Sequence, residues 1–363
     1  MNHDAPPGSV VHLIPHAINR GGPLYARDLS LRLTEKNAGH NLLMTIFSAE
    51  SDFKPDVALD VPPGLGRRIG YQIAARHHLR EWVRLHSPSV VVAHGGEALK
   101  YAATSRLECP LIYYRIGLSS KELGRPVSRA LYRFLCQRVN FAVGISREVV
   151  DQLATTLVVP AERLRLIPNS RDPKVYRPAE SGKASPPLVV FVGQLERDKR
   201  PDLFIAVIEK LRDITPHFDA WLVGGGQLDA QASALAAKAG VTVTGRRSDV
   251  PNILGRAAIL VMTSDRDSEG MPGVLIEAGL SEVAVVSTPA AGVGDVVQDG
   301  ITGSVVESSD PADLAAAVHV LLRDNPRRAA MGRAARQKCR EVFSVDGNTD
   351  QWRALIEEAR GLN

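Results

Sequence analysis

The chain has 363 residues, 44% of them hydrophobic and 23% charged, which is too long for one small core and suits two domains of an ordinary globular protein. Aromatic residues make up only 5% and give no stacking platform for single strands, so nucleic acid is not an expected partner. The net charge of +4 is uneven: residues 1–180 carry 24 Lys and Arg against 16 Asp and Glu, the remainder 20 against 24, which is compatible with a phosphorylated substrate or an anionic membrane surface at the first half and equally with a solvated charged face.

Met1 to Gly8 has no basic segment followed by an apolar core, and no apolar run approaches the ~18 residues of a membrane span. The expected location is cytoplasmic, with peripheral contact at the inner membrane face as the alternative. Cys109, Cys136 and Cys339 are odd in number and lack metal-ligand spacing, so they read as reduced, packed thiols.

Val10 to Ile14 predicts a buried strand, Asn19-Arg20-Gly21-Gly22 a loop, Leu24 to Leu33 a helix and Leu42 to Phe47 a second strand. A glycine pair between strand and helix lets backbone approach a ligand, or simply turns the chain. Leu65 to Leu85 is a helical stretch with Arg67, Arg68, Arg76, Arg80 and Arg84, suited to a solvated layer helix or to an anionic membrane. Val90 to Ala93 is a compact strand ending at His94-Gly95-Gly96, and ligands of open parallel sheets bind at such carboxyl ends. A strand at Leu111 to Tyr114 leading to Arg115, a helix from Val127 to Arg138, and strands at Phe141 to Gly144 and Leu164 to Ile167 complete an alternating series that implies a parallel sheet. Between Pro168 and Pro187 five prolines and Ser181-Gly182 change the composition. The expected domains are 1–178, a linker at 179–187, 188–345, and a C-terminal helix at 346–363 returning to the first domain.

A second alternating series starts at Leu188 to Val192. Its first turn, Gly193 to Asp202, holds Arg197, Lys199 and Arg200, well placed to neutralise a diphosphate or to form a charged loop. Trp221 to Val223 runs into Gly224-Gly225-Gly226, and Val241 to Thr244 into Gly245-Arg246-Arg247. The apolar run Ala257 to Met262 then leads through a polar turn to Ser268-Glu269-Gly270-Met271-Pro272-Gly273-Val274, with Pro272 suited to the first turn of a helix. A helix start aims unpaired N–H groups and a positive dipole end at whatever lies before it, which favours phosphate. Glu269 and Glu277 bracket that start at a spacing of about 10 Å along the axis. Further strands are expected at Val283 to Ser287 and Val305 to Val306, and helices at Pro311 to Arg323, Pro326 to Cys339 and Thr349 to Arg360.

The second half resembles glycosyltransferase family 4, the retaining sugar-nucleotide transferases of the GT-B fold. Carrying the resemblance are Phe191-Val192-Gly193-Gln194-Leu195 with Lys199, Leu222 to Gly226, Glu269-Gly270-Met271-Pro272 with Glu277-Ala278, and Gly300-Ile301-Thr302-Gly303. Gly21-Gly22, His94, Ser146 and Pro168-Asn169 fall where the family's first domain has its counterparts. The resemblance implies an α/β fold of two Rossmann-like parallel-sheet domains facing each other across a cleft. It implies that Glu277 holds the donor ribose, Glu269 the donor sugar's hydroxyls, and Lys199 the diphosphate together with backbone N–H groups of Gly273 and Val274. It also implies that Gly21 and Gly22 close over the phosphates and that His94 approaches the reacting sugar. Gly193, Arg197, Gly224, Arg246 and Gly270 to Pro272 would complete the donor side, with Arg115 and Asn19 on the acceptor side. The chain departs from the family at Gln194, where arginine is usual, so that Arg197, Arg200 or nothing meets one phosphate charge. It departs again at Asp295, where glutamate is usual.

The implied reaction moves a sugar from a nucleotide-diphosphate sugar, UDP-sugar by preference, to an unidentified acceptor. The implied fold needs no metal or other cofactor, and Asp265-Arg266-Asp267 reads as a loop. A nucleotide-sugar epimerase of the same fold and a non-catalytic nucleotide-sugar-binding partner subunit are the alternatives.

Overall fold

The computed structural model describes residues 5–18, 21–36, 38–47, 51–59, 61, 71–117, 123–215 and 217–362. Asn19 and the expected helical start at Leu65 to Gly70 lie outside them. The chain forms two compact units, Met1–Ile167 with Thr349–Asn363, and Pro168–Asn348.

The first unit holds strands β1 (Val10–Ile14), β2 (Asn41–Thr45), β3 (Val57–Ala58), β4 (Val90–His94), β5 (Leu111–Arg115), β6 (Phe141–Gly144) and β7 (Leu164–Leu166). They form one parallel sheet in the order β3-β2-β1-β4-β5-β6-β7. Helices α1 (Gly21–Glu35), α2 (Ile73–His86), α3 (Gly96–Thr104), α4 (Pro126–Cys136) and α5 (Arg147–Thr155) alternate with the strands. Sequences such as Val-Val-His-Leu-Ile and Val-Val-Val-Ala-His are buried along their whole length, as expected of strands covered on both faces. The order reverses between β1 and β4, the crevice where open parallel sheets take their ligands.

Two expectations change here. The Gly21-Gly22 pair does not form a turn before α1 but opens it. A Cβ on Gly22 would stand 2.6 Å from Ile116 Cδ1, so a larger residue here would have to displace that side chain. The basic stretch is helical from Ile73 and turns Ala75, Leu79 and Val83 inward, with Arg80 and Arg84 exposed and Arg76 half-buried.

The second unit repeats the design with β8 (Leu188–Val192), β9 (Asp219–Val223), β10 (Thr242–Gly245), β11 (Ile259–Met262), β12 (Ala284–Ser287) and β13 (Ser304–Val305), all parallel in the order β10-β9-β8-β11-β12-β13. Its helices are α6 (Pro201–Ile214), α7 (Asp229–Ala239), α8 (Val250–Arg256), α9 (Gly273–Leu280), α10 (Val293–Val296), α11 (Pro311–Arg323) and α12 (Asn325–Val342). Their starts are chemically marked: Asp310 and Asp324 accept from Ala312 N and Arg327 N, each beside a proline in the first turn. The core runs through Val189, Phe191, Phe204, Ile208, Val261 and Leu314, each side chain of this size contributing about 1.5–3 kcal/mol by its burial. The segment expected as linker packs on this unit, Ala179 N and Ala184 N donating to the carbonyls of Gly255 and Arg256.

The last helix, α13 (Val345–Arg360), carries Trp352, fully buried in the first unit, where its indole N–H donates to Tyr25 Oη at 2.8 Å. No described helix is long and apolar enough to cross a membrane.

Candidate active site

In the second unit the strand order reverses between β8 and β11. At their carboxyl ends lies a cavity of 190 Å³, lined by Phe191 to Gly193, Leu260 to Met262, Ser264, Lys199, Glu269 and Pro272 to Val274. Local chemistry brings each of these here. After β8 the chain makes a 3-10 turn, Arg197–Lys199, and Arg200 takes a left-handed conformation (φ 52°) before Pro201 starts α6. Thr263, just past β11, donates its hydroxyl to the carbonyls of Lys199 (3.0 Å) and Arg200 (2.8 Å), fastening the turn to the neighbouring strand. Lys199 Nζ thereby reaches Glu269 Oε1 at 2.5 Å, and Ser264 Oγ donates to the same oxygen at 3.3 Å.

Pro272 is the cap of α9 rather than a residue of its first turn, and the helix opens at Gly273. Its first N–H groups have no partner within the helix and look into the cavity that Gly273 and Val274 line. Gly292 (φ 73°) supports this start from below, since a Cβ there would collide with Gly270 O and Met271. Gly224 (φ 151°) plays the same part under the end of β8, where a Cβ would overlap Gly193 O.

Glu277, one turn into α9, does not line the cavity. Its Oε1 accepts from Arg171 Nε at 2.6 Å, with the carboxylate side chain 12% exposed. Tyr176 interacts with both partners, and burial, helped by the Glu277 carboxylate, pushes its phenol up to about 12. Neither Arg171 nor Tyr176 was singled out from the sequence: Arg171 lies 106 residues from Glu277, and no local pattern marks it. Asn169, of the Pro168-Asn169 pair, donates its side-chain amide to Met271 O at 3.2 Å.

Other expected donor residues are elsewhere. Arg197 lines a separate cavity with Pro201, Leu228 and Leu235. Arg200 is held by Asp202 at 3.2 Å and Asp265 at 3.6 Å. Arg246 is exposed and lies along Gly225.

In the first unit, His94 ends β4 beside the β1–β4 reversal, but its side chain turns inward and the residue is 4% exposed. It meets Tyr114 edge-on and packs near Trp352. His94 Nε2 lies 3.0 Å from His12 Nδ1, and His12 Nε2 lies 3.3 Å from Asn41 Oδ1. Asn41 donates its amide N–H to Gly39 O, which turns Oδ1 to the histidine. Burial drags His12 down to about 4, against the opposing Asn41 hydrogen bond, and burial then His12 keep His94 well below its usual range, so both rings are neutral. The proton order follows: His12 Nε2–H donates to Asn41, His94 Nε2–H donates to His12 Nδ1, and His94 Nδ1 is a bare acceptor without a hydrogen-bond partner.

Arg115 corrects the acceptor-side expectation. It is 3% exposed, with Nε and one terminal nitrogen on Gln152 Oε1 and the other donating to Tyr113 Oη. A guanidinium this deep is engaged by Gln152 and Tyr113 inside the unit and does not reach the surface where an acceptor would arrive.

Two family descriptions match the chain in succession, "Glycosyltransferase Family 4" over residues 20–175 and "Glycosyl transferases group 1" over residues 175–338. The fold is GT-B: HepE of Anabaena in complex with UDP superposes with a TM-score of 0.83 at 18% identity, covering 96% of this chain and 100% of that one. Sucrose-phosphate synthase of Thermosynechococcus elongatus does so with a TM-score of 0.80 at 16% identity, covering 98% and 100%. The chain belongs to glycosyltransferase family 4. Among curated proteins it is 30% identical over 266 residues to the D-inositol 3-phosphate glycosyltransferase of Nocardia farcinica, covering 68% of this chain and 56% of that one. It is 29% identical over 177 residues, 48% of each chain, to the alpha-1,4-N-acetyl-D-galactosaminyltransferase of Campylobacter jejuni that acts on a diNAcBac-PP-undecaprenol-linked glycan. The chain thus spans about half the length of these two relatives.

Proposed function

We propose that the chain is a retaining glycosyltransferase that moves a sugar from a nucleotide-diphosphate sugar to an acceptor hydroxyl, with no metal or other cofactor. The carrying observation is the cavity between β8 and β11, where Lys199, Glu269 and the start of α9 converge. Breaking a glycosyl–phosphate bond builds negative charge on the leaving diphosphate. Lys199 and the N–H groups of Gly273 and Val274 are fixed before that charge appears, so they stabilise it without reorganising. Glu269, held by Lys199, receives the hydroxyls of the donor sugar, and Glu277 those of the ribose. The acceptor attacks on the face the nucleotide leaves, and a phosphate oxygen takes its proton.

UDP is the favoured nucleotide, a choice supported by the UDP bound in the HepE structure of the same fold. A donor panel tests the reading: one nucleotide sugar should raise the melting temperature and be consumed only with an acceptor. Conversion of the donor alone indicates an epimerase, and binding without turnover across an acceptor panel a binding subunit.

An acceptor at an anionic membrane surface is supported by α4. Val127, Leu131 and Phe134 are 82%, 44% and 47% exposed on this helix, at positions sharing one face, with Arg125, Arg129 and Arg133 around them. Binding to anionic vesicles that weakens with salt is expected, and none at low salt removes this reading.

A further inference from the structure

The donor cavity is short of positive charge. Lys199 is the one cation among its lining residues. Arg197 and Arg200 line a different cavity. Gln194, exposed after β8, carries no charge. A diphosphate arriving here needs a second cation close to the start of α9.

The geometry points to Arg171 as that cation, a diphosphate-binding residue delivered from the segment before β8. Its Nε is fixed on Glu277 Oε1 at 2.6 Å and one terminal nitrogen on Ser170 O at 3.0 Å. The rest of the guanidinium lies along α9 against Gly273, so closely that a Cβ on Gly273 would collide with it. It therefore spans one helical turn, from the carboxylate at 277 to the residue whose N–H groups open the helix. The backbone under it is fixed: Arg171 N donates to Phe343 O at 3.0 Å, and Asn169 holds Met271 O. The side chain is 31% exposed and held by Glu277 and Tyr176, and an anion would meet it at that exposed surface. With glycine at 273 the guanidinium can lie against the helix start, where it would do for the diphosphate what Lys199 does on the other side of the cavity.

This assignment rests on the donor-site reading above and is tested by separating phosphate from nucleoside. UDP and uridine, and GDP and guanosine, are titrated by calorimetry into the wild-type chain, Arg171→Gln and Arg171→Lys. A charge-assisted contact to phosphate predicts that Arg171→Gln lowers diphosphate affinity about 10- to 100-fold beyond any change in nucleoside affinity that follows from releasing Glu277, with Arg171→Lys in between. The diphosphate loss should shrink as salt rises. Equal losses for diphosphate and nucleoside would show that Arg171 acts only by holding Glu277 for the ribose, and unchanged binding would show that it does nothing for the donor; either overturns the assignment. Arg171→Lys keeps charge in the same pocket, so diphosphate affinity no better than that of Arg171→Gln also counts against it. A wild-type chain that binds neither diphosphate overturns the donor site itself, a result distinct from a wild type that binds and variants that match it.

Discussion

Lys199 Nζ donates to Glu269 Oε1 at 2.5 Å, and the two side chains are only 18% and 19% exposed. One turn into α9 the pattern repeats with Arg171 and Glu277. Each carboxylate of the Glu-x7-Glu stretch thus has its own cation, brought from a different part of the second unit. A half-buried ion pair is sensitive to loss of one member, because the survivor keeps its desolvation cost. Lys199→Ala should lower kcat/KM by about 10²-fold or more, the size expected when a fixed charge at a developing oxyanion is lost. It should also destabilise the second unit by about 1–3 kcal/mol, and Lys199→Ala with Glu269→Gln should recover part of that stability but none of the activity. Denaturant unfolding and steady-state kinetics on the two variants measure both. Wild-type turnover by Lys199→Ala or Glu277→Ala would sink the transferase reading.

Two glycines separate packing from function. Gly224→Ala puts a Cβ onto Gly193 O at a φ of 151°, so the ends of β8 and β9 must move apart. A loss of more than about 3 kcal/mol is expected, seen as a drop in melting temperature and in UDP affinity. Gly21→Ala meets no heavy atom within 4 Å and places alanine in the first turn of a helix. Its stability should be unchanged within about 0.5 kcal/mol, so any loss of turnover reports a direct role of that helix start.

The alternation of strands and helices was legible because parallel strands buried on both faces write continuous apolar runs. The Glu269–Glu277 stretch was legible for a related reason: loop, proline and apolar helix are local signals, and Lys199 sits at the first turn of its own series. Arg171, Tyr176, His12 and Asn41 escaped because their importance is non-local. Arg171 looks like any charge in a proline-rich segment until the chain lays it on a glutamate 106 residues away. His12 alternates with nothing, being one polar residue inside a fully buried strand. Arg115 misled for the same reason, since a basic residue at a strand end reads identically whether it points to solvent or, as here, to Gln152. The two-residue β3 is too short for any periodicity to mark.

The C-terminal helix should be required for the first unit to fold. Trp352 is 0% exposed, donates to Tyr25 Oη and meets Tyr114 edge-on at 5.1 Å. Trp352→Ala should cost about 3–5 kcal/mol, and Tyr25→Phe about 1–2 kcal/mol by leaving the indole N–H buried without its acceptor. Amide hydrogen exchange in β1 and β4 should accelerate in both variants, more in the first, while β8 and β11 keep their protection. Loss of protection confined to the second unit would contradict the packing.

The His12–His94 pair makes a prediction about acid. His12 titrates near 6.5 when unfolded and about 4 when folded, because burial disfavours its charged form. Between those values the unfolded chain binds a proton that the folded chain does not, so stability falls as pH drops through 6.5 to 4 and is level above 6.5 on this account. His12 alone carries up to about 3 kcal/mol across that window, and His94 adds in the same direction. In His12→Gln the amide still accepts from His94 Nε2–H and donates to Asn41 but does not titrate, so unfolding measured from pH 7 to 4 should show a shallower loss than the wild type. Nitrogen-15 NMR at pH 7 should find His94 protonated on Nε2 and bare on Nδ1. A protonated Nδ1, or parallel pH profiles for the two proteins, would show that the proton order inferred from Asn41 is wrong.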